Sequence, residues 1–121
     1  MPPPRWAQNL LTRVWTDEGR GLEDRPPLVW RWTSYQHTSG RACVRCGRIL
    51  VSAGTDRADA RLVLLHECAH VLTGQGHTAA FWDKVWALYR RYKVPLGYAL
   101  EREGGYRKGA RTAYARSRSR R

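Results

Sequence analysis

The chain has 121 residues, with 22 Lys+Arg against 10 Asp+Glu, a formal net charge of +12 and a pI near 10.6. That length suits one domain, which can bury roughly two-thirds of its unfolded surface without disulfide staples. A 42% hydrophobic content with six Trp excludes wholesale disorder, and no run approaches the ~18 apolar residues of a membrane span.

The opening Met1–Trp6 lacks the apolar stretch of a signal peptide. Three cysteines are too few, and odd in number, for a secreted disulfide scaffold. The expectation is a small basic domain in the cytoplasm, and charge alone points toward nucleic acid.

In chain order, Trp6, Leu10, Leu11, Val14 and Trp15 recur at helical spacing and predict a helix over 6–16, ended by Gly19 and Gly21. Pro26-Pro27 opens an extended stretch, and 28–35 partly alternates as a half-buried strand does. Residues 41–44 and 48–53 read as two further short strands, so a small antiparallel sheet is expected.

From Asp56 the period changes. Asp56 and Asp59 supply N-cap and first-turn acids. The following segment, Ala60–Leu72, is apolar nearly all round, as in a buried central helix. Gly74-Gln75-Gly76 stops it, Thr78 can cap a second helix running to about Tyr92, and Pro95 ends that helix. The chain from 95 to 106 shows no clear pattern.

The charge is uneven. Residues 104–121 carry Arg107, Lys108, Arg111, Arg116, Arg118, Arg120 and Arg121 with no acid, so +7 of the +12 lies there. Rich in Gly, Ser, Ala and Arg, this segment is expected to be a disordered tail. It reads equally as a solvated terminus or as a non-specific phosphate-binding arm for DNA or RNA.

The chemistry concentrates elsewhere. Three of the four histidines, His66, His70 and His77, fall within twelve residues, and His66-Glu67-Cys68-Ala69-His70 is an HExxH motif. On a helix, positions i and i+4 are offset by only ~40° and ~6 Å, so both imidazoles can reach one Zn²⁺. Glu67 lies beside them, where it can act on water as general base. An ionised Glu and two His in an apolar helix need partners, and a metal site supplies them. A catalytic zinc takes three protein ligands and one open position. His77, brought back by the glycine turn, is the choice for the third; Glu101 or Glu103 is the alternative.

His66–His70, then His77, then Phe81-Trp82, resembles the SprT-like and related compact HExxH zinc metallopeptidases. The resemblance covers about residues 28–92 and is most specific over 62–82. The metzincin pattern fits worse: Thr73 stands where it wants Gly, the third His would come one residue earlier, and Met1 is the only Met.

The resemblance implies a small α+β zincin-like domain over 1–103, followed by the 104–121 tail. It implies a zinc-dependent endopeptidase acting on protein or peptide, with zinc on His66, His70 and His77 and Glu67 as base and later proton donor. A peptide would add as a strand beside the Ile49–Ser52 edge. Tyr98, Tyr106 or His37 would steady the oxyanion. Some SprT-like members cut DNA-bound proteins, and a basic tail is compatible with that.

A rival reading uses Cys43 and Cys46. With His66 and His70 they form C-x2-C-x19-H-x3-H, a ligand set for a non-enzymatic nucleic-acid-binding zinc module. Its middle exceeds the usual ~12 residues, and it leaves Glu67 and His77 without a role. Otherwise Cys43 and Cys46 are two reduced thiols at a hairpin, and Cys68 is a core residue.

Overall fold

A computed structural model describes residues 2–104 and 108–119. Its first helix, α1 (Arg5–Asp17), buries Ala7, Leu10, Leu11, Val14 and Trp15 along one face, as the helical spacing requires. Three strands follow: β1 (Leu28–Trp32), β2 (Ser39–Cys43) and β3 (Arg48–Ala53). The described residues then form α2 (Arg57–Thr73), α3 (Ala79–Arg91), α4 (Leu96–Gly104) and α5 (Lys108–Ser119). The result is an α+β fold. No helix among the described residues is long and apolar enough to cross a membrane.

The sheet corrects two expectations. Its order is β1-β3-β2, with β1 parallel and β2 antiparallel to β3, so it is mixed rather than antiparallel. β2 and β3 form a hairpin, closed where Gly47 N–H donates to Cys43 O at 2.7 Å. β1 pairs with β3 instead of β2 because the chain after it passes the end of β3. There Thr33 N–H donates to Ala53 O at 2.8 Å, and Thr55 N–H donates to Tyr35 O at 2.9 Å. β3 is therefore central, with both ladders in use, and no peptide can add beside Ile49–Ser52. Burial explains its place: Ile49, Val51 and Ala53 are all fully buried, whereas β1 buries Trp30 alone and β2 buries none of its residues completely.

α2 packs beneath β2 and β3 and against α1 and α3. Asp56 caps it, its Oδ1 accepting from Ala58 N at 2.9 Å and from Asp59 N at 3.3 Å. Gly74 ends it in the left-handed conformation, φ +66°, which only glycine adopts without strain. Thr78 caps α3, accepting from Phe81 N. α3 ends at Arg91; Pro95 opens α4 rather than ending α3, its carbonyl accepting from Ala99 N at 3.0 Å.

The tail departs most from expectation. Residues 108–119 form α5, which packs on α3 and α4. Ala110 and Ala113 are fully buried, Trp86 Nε1 donates to Ala110 O at 2.9 Å, and Arg116 pairs with Asp83 at 2.8 Å. Small residues three apart let the helix approach the aromatic face of α3 closely, so little apolar surface is needed to hold it. Arg107, Arg120 and Arg121 lie outside the described residues.

Candidate metal centre

α2 and the start of α3 bring His66, His70 and His77 together. One ligand atom from each lies within 4.8 Å of the others, and this is the metal-competent His/Cys/Asp/Glu group found among the described residues. His66 and His70 face the same way because they are one turn apart. The Gly74–Gly76 turn reverses the chain and delivers His77.

The ring orientations are set from outside the cluster. His66 Nδ1 meets Glu103 Oε2 at 2.5 Å, and His70 Nδ1 meets Gln75 O at 2.8 Å. Both contacts assign Nε2 as the inward nitrogen. His77 Nε2 lies 3.4 Å from His66 Nε2. Two ligands ~2.1 Å from a tetrahedral zinc lie about 3.4 Å apart, so this spacing fits one ion between them. Aromatic rings hold the imidazoles in place: Phe81 stacks on His70 at 4.1 Å and Trp82 on His77 at 5.4 Å.

Glu67 sits next to the cluster, 5% exposed. Its pKa is pushed up to about 7, chiefly by burial; His66 opposes the shift and the charge of Glu103 adds to it. A carboxyl near neutrality can both take and return a proton. It lines a cleft of about 230 Å³ with His66, Ser39, Gly40, Val63 and Arg102. The opposite wall of the cleft is thus β2, the edge strand. At Gly40 the strand approaches so closely that a Cβ would lie 2.6 Å from Val63 Cγ1 and 2.8 Å from Glu67 Oε2.

A second cluster braces that wall. Asp59, fully buried in the first turn of α2, accepts from Thr38 N at 2.5 Å, from Tyr98 OH at 2.7 Å and from Arg102 Nε at 2.5 Å. Arg102 also donates to Thr38 O at 3.1 Å. Burial works to raise the Asp59 pKa, but the donors from Arg102, Thr38 and Tyr98 outweigh it and hold the carboxyl below its ordinary value. α2, α4 and the start of β2 are therefore fastened at one point.

Several sequence-derived candidates are redistributed. Glu103 does not join the triad; it supports His66 and accepts from Tyr89 OH at 3.3 Å. Glu101 is exposed on α4, outside the cluster. Tyr98 is committed to Asp59, and His37 is an exposed residue 3.8 Å from the same carboxylate. Tyr106 lies outside the described residues. Cys43 and Cys46 are bonded to each other and do not gather with His66 and His70, so the rival ligand set is not assembled. Cys68 is buried and unpaired, as expected.

Arg102 and the support role of Glu103 were missed in the sequence. The available signal was a buried acid on α2, Asp59, with no cation on its own helix face. Comparisons with protein-family models, curated proteins and solved structures give no match for the chain.

Proposed function

We propose that the protein is a zinc-dependent endopeptidase. The observation that carries this reading is the convergence of His66, His70 and His77, with His66 also lining the cleft that holds Glu67 and is walled by an edge strand. Three imidazoles make a donor set suited to catalytic rather than structural zinc, which keeps its fourth position for water or substrate. The resemblance of residues 62–82 to SprT-like metallopeptidases supports the same conclusion.

His66, His70 and His77 would hold the metal, which supplies a Lewis acid and an acidified water. The residues of the chain do the rest. β2 offers its free edge to an extended peptide, which would pair along Ser39–Cys43 and lay its backbone across the cleft. Gly40, lacking a side chain, lets that strand lie directly against Val63 and Glu67. Glu67 takes the proton of the attacking water and returns it to the leaving nitrogen. Glu103, Phe81 and Trp82 keep the imidazoles oriented.

The test pairs two measurements: metal content, and cleavage of an unstructured protein such as casein. Glu67→Gln is expected to keep zinc and lose cleavage by a factor of 10² or more, whereas His77→Ala loses both. Full zinc binding and cleavage in Glu67→Gln would overturn the assignment.

A further inference from the structure

The outer face of the sheet, away from α2, carries a basic residue from each of its three strands. No acidic residue occurs between Asp24 and Asp56, while Arg25, Arg31, Arg41, Arg45 and Arg48 fall in that interval. Strand alternation decides where they point. Trp30, Ile49, Val51 and Ala53 face the core and are buried. Arg31, Arg41 and Arg48 occupy the other parity and are exposed.

The register then assembles them into rows. Arg31 on β1 is opposite Ser52 on β3, which is opposite Ser39 on β2. Arg41 is opposite Leu50, which is opposite Val29, and Arg48 is opposite Cys43. Arg31, Ser39, Arg41, Leu50 and Ser52 line a depression of about 400 Å³.

No carboxylate among the described residues pairs with Arg31, Arg41 or Arg48: the ion pairs lie elsewhere, on Asp17, Glu18, Asp59, Asp83 and Glu103. Two strand spacings and a two-residue offset put the backbones of Arg31 and Arg41 about 12 Å apart, close to the screening length of about 10 Å at 0.1 M salt. These guanidinium groups thus stand on an uncovered face without a counter-charge, and a polyanion spanning the rows would supply one to each.

We propose that this face binds the phosphodiester backbone of single-stranded nucleic acid. Guanidinium forks and hydroxyls are the donor types that recognise phosphate oxygens. One arginine on each of three strands spreads the positive charge over more than one phosphate. Val29 and Leu50 give the face an apolar floor against which the sugars and bases of an unpaired strand, unlike bases stacked inside a duplex, can lie. The site is separate from α5, and it backs onto the same strand, β2, whose other side walls the Glu67 cleft.

The experiment is fluorescence anisotropy of the full chain with a short labelled single-stranded oligonucleotide, between about 50 and about 200 mM salt. Arg31→Glu/Arg41→Glu is expected to weaken binding by about tenfold or more. With neutral Arg31→Gln/Arg41→Gln, the salt slope should fall by about 1.4, from two phosphates at about 0.7 each. The glutamine pair also serves if the charge-reversed protein loses the wild-type circular dichroism. In the wild type, amide resonances of Ser39, Arg41 and Ser52 should shift on titration with the oligonucleotide.

Unchanged affinity and slope in the folded variants would overturn the proposal. So would shifts confined to α5, a preference for duplex, or equal competition by polyglutamate of the same charge. None of these readouts depends on cleavage or zinc.

Discussion

The segment from His66 to Trp82 and the segment from Pro95 to Ser119 contribute to the same centre in opposite ways. The first carries its chemistry in local spacing: one helical turn, a glycine reversal and a capped second helix set three imidazoles and two aromatic rings. The second has almost no readable pattern, yet it supplies Glu103 behind His66 and Arg102 beneath the edge strand, and it covers α3 with α5. Ligands that sit close in sequence are cheap to bring together, whereas Glu103 behind His66 and Arg102 on Asp59 arrive from 37 and 43 residues away and depend on packing.

Four substitutions separate these contributions. The largest effect is expected from Trp86→Ala. Its fully buried indole fills the space between α3 and α5 and donates to Ala110 O. Loss should cost about 3–5 kcal/mol and expose α5 to protease. A Tm decrease with α5 still protected would show that the helix does not rely on α3.

Arg102→Met comes next, at about 2–4 kcal/mol, because it leaves the buried Asp59 carboxylate with neutral donors only. The sign with pH follows from the lowered Asp59 pKa. Its contribution is complete above the unfolded value of about 3.9 and disappears as pH falls through the lower folded value. Denaturant midpoints of wild type and Arg102→Met should therefore converge at strongly acidic pH. A gap that persists there would remove Asp59 from the account.

Glu103→Gln addresses the centre itself. Weakening the outer support of His66 should lower zinc affinity about 10–100-fold by competition titration, while the fold is retained. If affinity is unchanged, the short contact to His66 is not orienting the ring. The smallest expected effect is that of Gly40→Ala, about 1–3 kcal/mol of overpacking against Val63 and Glu67. It should reduce cleavage with zinc content intact, and normal cleavage would show that β2 can retreat without consequence.

How much of this could be read in advance varies with the range of the interaction. The HExxH helix, its Asp56 and Gly74 boundaries and the Thr78 cap are each written in a few adjacent residues, and the structure has them where the pattern puts them. The sheet was legible as strands and not as topology. Three short alternating runs say nothing of which is central, and here the burial of Ile49, Val51 and Ala53 decided it. α5 was misread because its composition is that of a disordered segment. Two alanines three residues apart become a packing face only when Trp86 is there to receive them.

By itself, then, the sequence determined the helix that carries His66, Glu67 and His70, the turn that returns His77, and the excess of positive charge. Those features depend on backbone periodicity and on side-chain chemistry within one or two turns. Only the tertiary structure decided that β2 walls the cleft, that Glu103 supports a histidine instead of replacing one, and that arginines from three strands share one open face. Each of these results from closing a long loop against a packed core, where burial and register, rather than local preference, set the position of a side chain.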